Sequence, residues 1–202
     1  MVSKRYHAGM DELPQALLAL IGSLARLAQG ELRERALSAE LQPVHLVALG
    51  YLRDANRYSN TPQALAEYLG STKGTVSQSL LLLYRKGLVE RYADEHDGRV
   101  VRLRLSAAGR RLLRAGDFDV HWAAAVANLP AADAARVERA LADLLRTLQR
   151  RRGGRSFGVC ASCAHFQRRG DAAFRCGLTG EPLGRADSAK ICREHAVTTT
   201  AA

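Results

Sequence analysis

The chain has 202 residues, 47% hydrophobic and 25% charged, with a formal net charge of +10. That length holds one ordinary domain plus a small module and excludes a large multidomain enzyme, and the composition excludes wholesale disorder and collagen-like or mucin-like architecture. No apolar run reaches the roughly 18 to 20 residues that a bilayer span needs, and Met1 to His7 leads into no signal-like segment, so the sequence predicts a cytoplasmic protein with no membrane partner.

The basic excess points to a polyanionic partner. Arginine far outnumbers lysine, which favours forked phosphate and base contacts, although GC-rich coding produces the same bias. From Arg151 to Ala202 nine basic residues stand against four acidic ones, so positive charge is densest in the tail.

Residues 1–10 read as an N-terminal arm. From Asp11 to Gly30, Leu13, Leu17, Leu20, Ile21, Leu24 and Leu27 recur every three or four positions, an amphipathic helix with Asp11 as its cap. Pro43 opens a second helix with Val44, Val47, Ala48, Tyr51 and Leu52 as its stripe, and Asn56 to Asn60 is a polar loop. Thr61-Pro62 starts a short helix that Gly70 ends, and Thr72 caps another in which Val76, Leu80 and Leu83 form the stripe and Gly87 closes in a left-handed conformation. Two helices joined by a glycine turn make a helix-turn-helix.

The period then changes. Val101, Leu103 and Leu105 alternate with Arg102 and Arg104, giving a strand that pairs with Leu88 to Tyr92 through the turn residues Asp97-Gly98. Ser106 caps a helix running to about Leu129, and Pro130 starts a last one with Val137, Leu141, Leu144, Leu145 and Leu148 as its stripe. The second helix of the helix-turn-helix opens with Thr72, Lys73, Gly74, Thr75, Ser77 and Gln78, small polar or basic groups that reach phosphates and base edges, with a basic hairpin beside it.

The stretch Thr61 to Gly109, with Leu65-Ala66-Glu67-Tyr68-Leu69-Gly70, Thr75-Val76-Ser77, Arg85-Lys86-Gly87-Leu88-Val89-Glu90-Arg91, Asp97-Gly98-Arg99 and Leu105-Ser106-x-x-Gly109, resembles the MarR family of winged-helix regulators. With the flanking helices the resemblance covers about Asp11 to Arg150. It implies a homodimer on a pseudo-palindromic operator in double-stranded DNA, a repressor released by a small aromatic or redox effector, and hence a nucleoid-associated protein. It also implies that Thr72 to Gln78 enter the major groove, that Arg99 reaches the minor groove, and that Asp97 orients it. The chain departs from the family at Gly98, where another arginine is usual, and at Gly74 within the recognition helix. Arg102 and Arg104 read as phosphate contacts or solvated charges.

Beyond a flexible basic linker at 151–158, all four cysteines cluster as Cys160-x2-Cys163-x12-Cys176-x15-Cys192, with His195 competing with Cys192 as fourth ligand and His165 beside the first pair. A cytoplasmic chain disfavours structural disulfides, and four thiolates suit a tetrahedral ion, so residues 159–196 read as a metal-binding module. Zinc and an iron–sulfur cluster both satisfy the set, and regulatory disulfides are the rival chemistry. Gly177 suits a turn with amides directed at sulfur. Residues 197–202 read as a disordered tail.

The expected fold class is therefore mainly α: an α+β winged helix-turn-helix with long dimerisation helices over 11–150, plus the small cysteine module. No acidic metal-binding pair, nucleophile triad or phosphate loop appears, so the sequence predicts a regulator and not an enzyme. A redox or electron-transfer protein whose winged helix docks other proteins is the alternative.

Overall fold

The structure, a computed structural model, describes residues 12–95, 97–114, 118–151, 155–169 and 173–197. The chain falls into two compact units, Met1–Pro43 and Val44–Ala202. Helix α1 (Glu12–Ser38) dominates the first and runs through Gly30, where the sequence predicts its end. A glycine costs only about 1 kcal/mol in a helix interior, and Glu31 to Ala36 resume a good helix-forming run. Leu13, Leu17, Leu20, Leu24 and Leu27 are all exposed. The predicted arm and the Asp11 cap lie outside the described residues.

The second unit begins in α2 (Pro43–Asp54), which buries His45, Leu46, Ala48, Leu49, Tyr51 and Leu52. Helix α3 (Pro62–Leu69) starts where Thr61 Oγ1 accepts the Ala64 N–H at 3.1 Å, and Gly70 at φ 60° closes it. Helix α4 (Lys73–Arg85) is capped by Thr72, whose Oγ1 accepts the Thr75 N–H at 3.2 Å. Its buried face of Val76, Leu80 and Leu83, joined by Ser79, packs toward α3. Burying such aliphatic side chains contributes about 1.5 to 3 kcal/mol each.

Strands β1 (Val89–Ala93) and β2 (Val101–Leu105) pair antiparallel with Val89 opposite Leu105 and Tyr92 opposite Arg102. Leu103 and Leu105 are buried, whereas Val101, at the far end of the hairpin, extends beyond the core and is exposed. Ser106 fastens the hairpin to the helices: its Oγ donates to the Gly87 carbonyl at 2.6 Å and accepts the Gly109 N–H at 3.0 Å. Helices α5 (Ala107–Arg114) and α6 (Phe118–Ala127) occupy the span predicted as one helix, with 115–117 outside the described residues. Helix α7 (Ala131–Arg151) follows Pro130 and leaves Val137, Leu141, Leu144, Leu145 and Leu148 exposed.

The cysteine segment belongs to this same second unit. Strand β3 (Gly158–Val159) pairs with β7 (Ile191–Cys192), and β4 (Phe166–Arg168), β5 (Phe174–Cys176) and β6 (Pro182–Leu183) form a small antiparallel sheet, with one turn of helix, α8 (Arg185–Ser188), before β7. The described end of the predicted linker is engaged in contacts: Ser156 Oγ donates to the His195 carbonyl at 2.7 Å, and the Phe157 ring stands 5.4 Å from Tyr68 and 6.1 Å from Tyr51. Of the predicted tail, only Val197 is described, and it bridges to Cys163. No described helix is long and apolar enough to cross a membrane.

Gly109 shows how closely α5 approaches the end of α4, because a Cβ there would lie 2.2 Å from the Leu88 carbonyl oxygen. Gly109→Ala is expected to destabilise the fold by roughly 1 to 3 kcal/mol, since backbone must shift to admit the methyl group. Urea unfolding reads this as a lower midpoint, and an unchanged midpoint would contradict the close approach.

Candidate functional site

Helix α4 and the hairpin flank a cleft of about 780 Å³ lined by Lys73, Ser77, Leu81, Tyr84, Arg91 and Arg99. Its charge is positive, and the Arg91 guanidinium lies 5.7 Å from the Tyr84 ring centroid, a cation–π placement that holds it in the cleft. Of the predicted recognition residues, Thr72, Lys73, Gly74, Thr75, Ser77 and Gln78 are all exposed. Thr72 and Thr75 share a hydroxyl hydrogen bond of 2.9 Å besides the cap, so their side chains stiffen the first turn. Gly74 is surrounded by space, the nearest heavy atom to a Cβ there being Thr72 Oγ1 at 3.9 Å. Glycine at this position therefore removes bulk from the outer face and relieves no clash.

At the hairpin tip Arg99 forks onto Asp97, Nε to Oδ1 at 3.0 Å and Nη2 to Oδ2 at 3.1 Å, while Asp97 Oδ1 also accepts the Arg99 backbone N–H. These bonds hold the Asp97 carboxyl below its usual value. The Arg99 side chain is 92% exposed, so the carboxylate orients a guanidinium that still faces solvent. Arg102 departs from expectation. Its Nε donates to Asp94 Oδ2 at 2.7 Å and its Nη1 to the Arg57 carbonyl, leaving the side chain 18% exposed. It ties the hairpin to the loop after α2 while still lining the basic cleft. Arg104 pairs across the strands with Glu90 at 2.8 Å.

The four predicted cysteines come together. Cys160, Cys163, Cys176 and Cys192 line one cavity of about 60 Å³, walled by Phe166 and Leu183, with His165 and Glu194 at its margin. All four are free thiols. Cys160 is pushed up, first by its hydrogen bond to Cys192 and then by burial, whereas Cys192 is held down by accepting that bond. A backbone amide also reaches sulfur at Cys163, from Ala196 N–H at 3.4 Å. A set of four soft donors, two buried and two half-buried, with an amide aimed at the Cys163 sulfur fits a thiophilic ion or cluster by its chemistry. Among the described residues no three thiol, imidazole or carboxylate groups are placed to hold a metal ion.

His195, the alternative ligand, is held elsewhere: Nδ1 lies 3.0 Å from Ser156 Oγ and Nε2 3.1 Å from Ser162 Oγ. Its ring fills the space over Gly158, where a Cβ would come within 2.5 Å. The Gly177 amide donates to the His165 carbonyl at 2.7 Å and not to sulfur, because the turn after Cys176 folds back onto β4.

Sequence reasoning misses the surface that holds this centre. Arg193, next to Cys192, forks onto Glu67 of α3 with both bonds at 2.6 Å. The Arg193 N–H donates to Ser59 Oγ at 2.7 Å, and the Ile191 carbonyl accepts the Asn56 N–H at 2.9 Å. Tyr58 Oη donates to Glu181 at 2.7 Å, and Lys190 Nζ donates to the Arg53 carbonyl. The only signal in the sequence is a run of polar residues, Asn56 to Asn60, in which Asn56 and Ser59 turn out to be buried.

Residues 40–100 match the model of the MarR family. Comparison with curated proteins finds no match. Among solved structures, S. aureus MepR in its DNA-binding conformation is 25% identical with a TM-score of 0.59, covering 66% of this chain and 98% of that one. Streptococcus pneumoniae FabT in complex with DNA is 22% identical with a TM-score of 0.54, over 70% of this chain and 98% of FabT. CouR from Rhodococcus jostii RHA1, bound to p-coumaroyl-CoA, is 16% identical with a TM-score of 0.52, over 62% of this chain and 88% of CouR. The last two likenesses are of fold.

The Arg193–Glu67 fork carries a pH signature. Burial pushes the Glu67 carboxyl up, but Arg193, with Gln63 and Arg155, brings it below the usual carboxylate value. A depressed folded value means stability that is present above the unfolded value and lost as pH falls through the folded one. Glu67→Gln is therefore expected to lower the urea midpoint at pH 7, with the gap to wild type closing below roughly pH 4. A gap independent of pH would show that the fork adds nothing.

Proposed function

We propose that this chain, which carries a MarR-type winged helix, is a homodimeric transcription regulator that represses by binding a pseudo-palindromic operator. The observation that carries this reading is the basic cleft between α4 and the hairpin, where Lys73, Arg91 and Arg99 surround the exposed start of α4. The fold shared with MepR in its DNA-binding conformation supports it. Helix α4 would read base edges through Lys73, Ser77 and Gln78, with the threonines and Gly74 letting backbone approach phosphate, and Arg99 would reach the adjacent minor groove, whose narrowness concentrates negative potential. Dimerisation through α1 and α7 would cover their exposed leucine stripes. CouR, of similar fold, binds an aromatic thioester, which supports a small aromatic effector as one release signal.

In this reading Cys160, Cys163, Cys176 and Cys192 hold zinc, which supplies folding energy to a segment too short for a core of its own. Four thiolates also suit an iron–sulfur cluster, and visible absorption of anaerobically purified protein with elemental analysis separates the two, since a zinc thiolate site is colourless. Metal or cluster loss, by chelation or oxidation, is then a second release signal.

Fluorescence anisotropy on duplexes selected from a randomised pool tests the DNA reading. Half-sites about 10 to 10.5 bp apart are expected, with affinity falling steeply with salt. Arg99→Ala should weaken binding about fivefold or more, and Gln78→Ala should alter sequence preference more than salt dependence. Absence of salt-sensitive duplex binding would overturn the reading in favour of a redox protein with a docking domain. Cys176→Ser should lose the metal and unfold the tail while far-ultraviolet circular dichroism of the winged helix persists, and full metal retention in that variant would remove Cys176 from the ligand set.

A further inference from the structure

Asn56, in the turn between α2 and α3, is 4% exposed. Its backbone N–H donates to the Ile191 carbonyl. Its Oδ1 accepts the Tyr58 N–H at 3.0 Å and the Ser59 hydroxyl at 2.7 Å. A backbone N–H can only donate, so the atom facing Tyr58 must be the oxygen and the amide orientation is forced. The other end, Nδ2, is buried with no hydrogen-bond partner, and Cys192 lies between the two backbone groups that this turn binds. Cys192 is held from both sides by the same turn: Ile191 before it bonds Asn56, and Arg193 after it donates to Ser59 Oγ. A neutral thiol is a weak acceptor and leaves Nδ2 nearly unsatisfied, whereas a thiolate is a strong one.

The turn also bonds to the hairpin flank of the cleft and runs into α3, whose first residues line the same cleft. The Asn60 carbonyl accepts the Leu103 N–H of β2 at 2.7 Å, and the Arg57 carbonyl accepts Arg102 of the same strand. Thr61 caps α3, and Tyr51 Oη donates to the Ser59 carbonyl at 2.7 Å. We propose that Asn56 is a positioning residue that couples the cysteine centre to the DNA-reading elements: when Cys192 is an ion-bound thiolate, Asn56 Nδ2 donates to its sulfur and fixes the Asn56 to Asn60 turn, and with it α3 and β2. This rests on the metal reading above and adds to it that the DNA-binding part supplies a donor to the metal ligand. Such outer donors are worth about 10- to 100-fold in metal affinity.

Two measurements on the full chain test it. With cadmium-113 in place of zinc, the Asn56 side-chain amide proton should show a scalar coupling to the metal across the N–H···S bond, and a stoichiometric cadmium protein without that coupling would overturn the proposal. Asn56→Asp keeps the two acceptor contacts and removes the donor. In wild type, zinc should slow deuterium exchange in Pro62–Arg85 and Val101–Leu105 as well as in the cysteine segment. In Asn56→Asp, zinc should still bind at one ion per chain but leave its protection confined to the cysteine segment, and zinc release to a chelator should accelerate about tenfold. Equal long-range protection in the variant would refute the coupling, and the cadmium measurement decides the matter if the variant does not fold. A wild-type chain that binds neither zinc nor cadmium through its cysteines would remove the metal reading itself, a result distinct from binding without coupling.

Discussion

The seating of Cys192 and Arg193 on the turn between α2 and α3 joins the cysteine segment to the helix-turn-helix of the second unit. Arg193 and Glu67 make a charge-assisted fork with both bonds at 2.6 Å, and its carboxylate belongs to the first helix of the helix-turn-helix. Forked guanidinium–carboxylate pairs fix geometry as well as adding attraction. Around it, Ser59 and Asn56 bind the backbone on either side of Cys192. The cysteine segment is thus a fitted part of the winged-helix unit, and the thiol cavity lies a few bonds from residues that set α3. These hydrogen bonds join the cysteine segment to α3 directly, by a route that does not run along the chain through α7.

The side formed by α4 and the hairpin follows from local rules. Thr61 and Thr72 start α3 and α4 at the positions their hydroxyls dictate, Gly70 and Gly87 turn the chain with left-handed backbone, and Ser106 with Gly109 draws the hairpin onto the end of α4. Those devices leave the polar first turn of α4 outward beside a cleft holding Arg91 and Arg99. Arg99 is poised by Asp97 and Arg102 is absorbed by Asp94, so two arginines three residues apart serve opposite ends, one contact outward and one internal brace.

Much of this was legible in the sequence because it is local. Caps, glycine turns, the period of 3.6 in the helices and of 2 in β2 each need only neighbouring residues, and the Cys160 to Cys192 spacing announces a shared site. Three things were not legible. Alternation identified the outward face of β2 but not that Asp94 and the Arg57 carbonyl wait there for Arg102. The stripe on α1 gave no reason for the helix to pass Gly30. The latch joins residues 126 and 134 positions apart, Glu67 to Arg193 and Ser59 to Arg193, and pairs at that separation leave no pattern in either segment. Read alone, Asn56 to Asn60 is an ordinary polar loop, and His195 is as good a ligand as Cys192 until Ser156 and Ser162 are seen on its ring.

The proposed coupling between the cysteine centre and the surface of α4 and the hairpin would be a free energy shared by two sites, and such coupling is reciprocal: whatever factor a metal applies to duplex affinity, the duplex must apply to metal affinity. Ordering the turn before DNA arrives favours the duplex-bound state, so the two should strengthen one another. The direct measurement is the zinc dissociation constant of the wild-type protein, by competition with a chromophoric chelator at fixed salt, with and without a saturating selected duplex. Zinc should be held about fivefold or more tighter on the duplex, a coupling of about 1 kcal/mol. Dissociation constants equal within about twofold would mean that the cysteine centre and the DNA surface share a fold and nothing more.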